Sequence, residues 1–228
     1  MAVMKDDVRE WDMEVGIEGD SAMAGRSPLL ETAWRHLTME QAVLRGKFVC
    51  QLLWDVAKFF DSVGIPLLID RAEQLRFPLD QLVLGMQAHR APRVLRVNGC
   101  CAEPIPATGV SILAGCTLST SLSRAFTHGP VRGPEAGLQA NGSEHEIGQH
   151  VDDVNQVVIA DSEAAVVRRC RLEGLRIATA FTKSGLAISP KSVDVASSKR
   201  LAIGPTPCGK CPACVWETEH TRTMTTHN

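Results

Sequence analysis

The stretch His150-Val151-Asp152-Asp153 constrains this chain more than any other. It lies between Ile147-Gly148-Gln149 and Val154-Asn155-Gln156-Val157-Val158-Ile159. β-Branched residues favour extended backbone and an adjacent pair of acids favours turns, so a short β-hairpin with the acids at its turn is expected. Two carboxylates held that close repel one another. A divalent cation with hard oxygen ligands, typically Mg²⁺, relieves the repulsion most readily. Such a centre calls for a third acid from elsewhere in the chain.

Asp55 is the candidate. The apolar run Cys50-Gln51-Leu52-Leu53-Trp54 ends at this residue, so a buried strand would carry its carboxylate at the strand mouth, where functional groups are commonly presented. Between the two acidic stretches, Gly109-Val110-Ser111-Ile112-Leu113-Ala114-Gly115-Cys116-Thr117-Leu118-Ser119 places glycines around an apolar segment that opens a helix rich in small hydroxyl residues. After the hairpin, Ser162 caps an expected helix with Val166, Cys170, Ile177 and Phe181 on one side. Gly185-Leu186 ends that helix, and Ser189-Pro190-Lys191 leads into an extended segment, Ser192 to Ala196.

Taken in order, these four stretches resemble motifs A to D of the reverse transcriptase palm. Asp55-Val56-Ala57-Lys58-Phe59-Phe60-Asp61 is similar to motif A, and His150-Val151-Asp152-Asp153 to motif C, with His150 where the family usually has an aromatic residue. The Gly115 stretch resembles motif B, with Ala114 where the family has Gln, and the Lys191 stretch resembles motif D. The resemblance spans roughly residues 48 to 197. It implies an α+β fold with a palm-like antiparallel sheet and helices packed on one face. It also implies two Mg²⁺ ions held by Asp55 and Asp152, with Asp153 assisting and the Val56 carbonyl as a further ligand. Phe60 would be the gate that excludes the ribose 2′-hydroxyl, Gly115 would let backbone approach the nucleotide, and Lys191 would act as general acid toward pyrophosphate. The implied activity is RNA-directed DNA polymerisation in a retrotransposon-like element, with an RNA template, a DNA primer and deoxynucleoside triphosphates as partners.

Outside the motifs the chain divides into an acidic segment 1–26 expected to be disordered, a helix over 27–47 forming partial fingers, the palm over 48–198, and a Cys-rich tail over 199–228. In the second of these, Ser27 is placed as N-cap and Leu30, Trp34, Leu37 and Leu44 recur at helical spacing, predicting a buried stripe. Helices are also expected from Gly64-Ile65-Pro66 onward and over Leu79 to His89, a half-exposed strand with Arg93 and Arg96 outward over Arg93 to Gly99, and a loop over Gly129 to Ser143. Little room for a thumb is expected after Lys199, and before Asp55 only the scattered Arg26, Arg35, Arg45 and Lys47 stand where the family's fingers usually supply basic residues to the triphosphate.

The net charge of −2 gives no global signal for nucleic acid, so template contacts would have to be local. No run is long and apolar enough for a membrane span, and the acidic start is unlike a signal sequence, so an intracellular, membrane-free protein is expected. The 8 scattered cysteines fit reduced thiols. Cys208, Cys211, Cys214 and His220 have spacing compatible with zinc, although a complete structural site usually joins two separated ligand pairs. No feature assigns an oligomeric state. Two other readings share these residues: a catalytically inactive retroelement remnant that binds nucleic acid at most, and an RNA-templated RNA polymerase, which commonly has Gly where this chain has Val151.

Overall fold

The computed structural model describes residues 2–132 and 144–196. Among the described residues the chain forms two compact units, one of residues 2–16 with 58–128 and one of residues 17–57 with 129–132 and 144–196. The tail with Cys208, Cys211, Cys214 and His220 lies outside the described residues, as do residues 133–143.

The second unit is built on a five-stranded sheet, ordered β1 (Gly19–Asp20), β5 (Glu144–His150), β6 (Asp153–Ala160), β2 (Phe48–Trp54) and β7 (Val193–Ala196). Every pairing is antiparallel except that of β1 with β5, which makes the sheet mixed. Its centre is apolar because Val49, Cys50, Leu52, Val154, Val157 and Val158 are buried. On one face lies α7 (Glu163–Lys183), capped by the Ser162 hydroxyl as the sequence indicates. A Cβ at Gly174 would stand 3.2 Å from Leu52 and 3.7 Å from Trp54, so this glycine allows α7 to approach β2 closely. The α+β, palm-like sheet expected from the motifs is therefore present, with helical cover extending to the second face. There α2 (Pro28–Leu44) packs through Met39 and Ala42 against Val49, Val157 and Ile159.

The stripe expected to bury α2 is the wrong one. Leu30, Trp34, Leu37 and Leu44 are exposed, and the helix turns Arg35 and Ala42 inward instead. The reason lies in β5. Gly148 has no side chain, and the Arg35 guanidinium fills the space a Cβ would take there while pairing with Glu146 at 3.3 Å. A flat Arg head over a glycine lets the helix settle closer than bulky leucines would.

A polar chain is buried under α7. Trp54 Nε1 donates to Gln156 Oε1 at 2.7 Å, which leaves the Gln156 amide nitrogen, 3.3 Å from His145 Nε2, to act as donor there. His145 must then accept at Nε2 and carry its proton at Nδ1. Burial, and then the positive charges of Arg169 and Arg176, push its pKa down to about 4 from 6.5. An unfolded chain therefore binds a proton between pH 6.5 and pH 4 that the folded chain refuses, so the stability from neutral His145 is complete above pH 6.5 and is lost as pH falls toward 4. We expect this to cost about 3 kcal/mol at the acid end. Urea denaturation at pH 7 and pH 5 should show a steeper loss for wild type than for His145→Gln, whose carbonyl still accepts from Gln156 without titrating.

The first unit is helical: α1 (Ala2–Val15), α3 (Phe59–Ser62), α4 (Ile65–Gln74), α5 (Leu79–Arg90) and α6 (Ser119–Arg132), with a two-stranded ribbon of β3 (Arg96–Val97) and β4 (Cys100–Cys101). Residues 2–15 are thus a helix and not the disordered segment expected. Trp11 stacks edge-on against Phe77 at 4.7 Å and donates from Nε1 to Leu75 O at 2.8 Å, while Asp12 accepts from the Ser121 hydroxyl at 2.9 Å and pairs with Arg124. Helix α6 also continues to Arg132, into the stretch expected as a loop. Arg93 does not face outward freely, since its guanidinium donates to Ser111 Oγ at 3.0 Å; Arg96 is exposed.

Candidate active site

The three acids are brought to neighbouring strand ends by register. Trp54 pairs with Val154, and the next step along both strands is Asp55 beside Asp153. In the hairpin, His150 pairs with Asp153 across the two-residue turn Val151-Asp152. Val151 has φ of +59°, a left-handed conformation that a β-branched residue adopts only at a cost of about 1–3 kcal/mol. The surroundings hold it there. Gln149 Nε2 donates to Val151 O at 2.7 Å, and Ser21 Oγ bonds both Gln149 O at 3.3 Å and His150 Nδ1 at 3.0 Å.

The electrostatics are those of crowded carboxylates. Burial, followed by the charges of Asp153 and Asp55, raises the Asp152 pKa, while a backbone hydrogen bond and His150 act the other way. Burial and then the charge of Asp55 raise that of Asp153, again opposed by His150. The acids are near enough to repel, yet among the described residues no three metal-binding side chains converge to a common ligating point. Oxygen donors of like charge on adjacent strand ends fit a hard divalent cation, and substrate phosphates complete such spheres in Mg²⁺ sites more often than a closed protein cage does. Val56 lies next along the chain and forms an isolated antiparallel bridge with Ile188. Lys191 is exposed on the turn that follows Ile188, and its backbone N–H donates to Ser189 Oγ at 3.2 Å. Asp55, Val56, Asp152, Asp153 and Lys191 thus belong to one unit.

Phe60 and Gly115 belong to the other unit. There, the Ile112 N–H donates to Phe60 O at 2.9 Å and the Ser111 N–H to Val63 O at 2.9 Å, tying the segment that leads to Gly115 to the 60–63 stretch. Gly115 has φ of +83°, and a Cβ there would meet nothing within 4 Å. Turn conformation, and not crowding within the chain, is what asks for glycine at this position. The sequence reading missed Ser21, Gln149, Ser189 and Ser192, which hold the acidic turn and the Asp55 backbone.

No protein-family model matches the chain, and no curated protein does. Solved structures do. Apo telomerase from Candida tropicalis lacking its C-terminal domain superposes with a TM-score of 0.57 at 12% identity, covering 87% of this chain and 41% of that one. Telomerase from the same organism in complex with a TWJ fragment of telomeric RNA gives 0.59 at 10% identity, covering 88% and 34%. The apo form of that telomerase gives 0.59 at 9% identity, covering 88% and 37%. The chain therefore spans well under half the length of these structures. No helix among the described residues is long and apolar enough to cross a membrane. At this level of identity the likeness shows the fold alone, the palm-like α+β architecture that this chain shares with those telomerase structures.

Proposed function

We propose that this chain is the palm portion of an RNA-directed DNA polymerase of a retrotransposon-like element, extending a DNA primer on an RNA template with deoxynucleoside triphosphates. The observation that carries the reading is the placing of Asp55, Asp152 and Asp153 at adjoining strand ends, where burial and mutual charge raise the pKa of the latter two. Like charges held together cost free energy that a bound hard cation offsets.

In this reading Asp55 and Asp152 hold two Mg²⁺ ions, with Asp153 and the Val56 carbonyl beside them. What the ions supply when bound is activation of the primer 3′-hydroxyl and neutralisation of the leaving pyrophosphate. Lys191, exposed on its turn, gives a proton to the pyrophosphate oxygen as the bond to it breaks. The test is extension of an oligo(dT) primer on poly(rA) with Mg²⁺ and either dTTP or UTP. Extension with dTTP and little with UTP is the expected result. Extension with UTP alone would transfer the assignment to an RNA polymerase, and none at all would favour an inactive remnant.

A further inference from the structure

The turn Ser189-Pro190-Lys191-Ser192 interrupts the pairing along one edge of β2. On one side of it Leu53 pairs with Val193; on the other, Val56 bridges Ile188 and the Ala57 N–H donates to Ala187 O at 2.8 Å. Trp54 and Asp55 therefore face four residues, which is a bulge with two to spare. Bulges ordinarily leave ladder groups unpaired. Here the Asp55 N–H donates to Ser192 Oγ at 3.0 Å, and that hydroxyl donates back to Asp55 O at 3.2 Å. The Ser189 N–H donates to the same carbonyl at 2.8 Å, and the Ser192 N–H closes the turn on Ser189 O at 3.0 Å. Both serines are buried, while Lys191 between them is exposed.

We propose that Ser189 and Ser192 are positioning residues that hold the Asp55 backbone in fixed register with Lys191. The clamp is read from the hydrogen bonds alone; the roles of the two groups it couples rest on the polymerase reading. A hydroxyl is suited to the task because one atom both accepts the Asp55 N–H and donates to the Asp55 carbonyl. An ordinary ladder residue opposite Asp55 would satisfy the same groups but would leave no excursion on which to project a lysine. Alanine at position 192 removes both bonds, whereas threonine keeps them.

The experiment pairs two readouts on wild type, Ser192→Ala and Ser192→Thr. Hydrogen exchange followed at the Asp55 amide is expected to be at least about tenfold faster in Ser192→Ala, with threonine near wild type. In primer extension on poly(rA) with dTTP, the Mg²⁺ concentration for half-maximal rate is expected to rise about threefold to tenfold in Ser192→Ala, at a temperature where all three proteins are folded, and to be rescued by threonine. Unchanged exchange and unchanged Mg²⁺ dependence in Ser192→Ala would overturn the proposal while leaving the polymerase reading intact. If wild type extends nothing, that reading fails, and the Asp55 exchange rate alone decides whether the clamp exists.

Discussion

Replacing Asp152 with asparagine is expected to reduce primer extension by at least about 10³-fold while leaving the melting midpoint equal to or above that of wild type. A carboxylate that holds a metal contributes several kcal/mol to stabilising transition-state charge, and each 1.4 kcal/mol is about a factor of ten in rate. The stability result has the opposite sign because the acids repel. Burial and the neighbouring acids raise the Asp152 pKa, so the folded chain binds a proton more readily than the unfolded one. A group whose pKa is raised on folding contributes stability below its unfolded pKa and loses it as pH rises through the folded value. At neutral pH the ionised Asp152 is thus a net burden that asparagine removes. The checking measurements are extension on poly(rA) with dTTP, and thermal melts at pH 7 with and without Mg²⁺. An inactive variant with a much lower melting midpoint would mean that Asp152 is structural. Unreduced activity would remove Asp152 from the site.

The acid-bearing elements were legible because their signals are local. A β-branched run around an acid pair fixes the hairpin of β5 and β6, Ser162 fixes the start of α7, and the apolar run ending at Asp55 fixes β2. What failed was reading which face of a helix is buried. In α2 the leucine stripe looks like core, yet the inward residues are Arg35 and Ala42, because Gly148 on a distant strand opens a slot that an Arg head fills. No periodicity within α2 carries that information. In α1 the acidic composition masked a helical stripe of Val8, Trp11 and Val15, all of which are buried. That stripe was present in the sequence and was outweighed by bulk charge. The serines that grip Asp55 were invisible for a third reason, since a serine in a turn has no local mark of whether its hydroxyl faces water or a strand far away in the chain.

Glu173→Ala is expected to destabilise the protein by about 3–5 kcal/mol, the cost of breaking a buried ion pair by deleting one partner. For a chain of this size that lowers the melting midpoint by about 6–20 °C. Glu173 is 1% exposed on the inward side of α7, with Arg169 Nη2 3.1 Å from one carboxylate oxygen and Arg176 Nη1 3.5 Å from the other. The Arg169 contact is within ion-pair range but not aligned as a hydrogen bond. Its value therefore lies in compensating a buried charge more than in good bonding geometry. Arg176, with 36% of its side chain exposed, can turn toward water when the acid is gone, whereas Arg169, at 13%, cannot do so freely. The stranded cation is thus Arg169. The double variant Arg169→Met with Glu173→Leu should accordingly recover most of the loss, because it replaces a buried pair with apolar volume and leaves only the part-exposed Arg176, which water can solvate. Thermal melts of both variants at pH 7 check this. A single variant within about 1 kcal/mol of wild type would show that water reaches Arg169, and a double variant no better than the single one would show that the charges hold α7 in its register on β2 and β6.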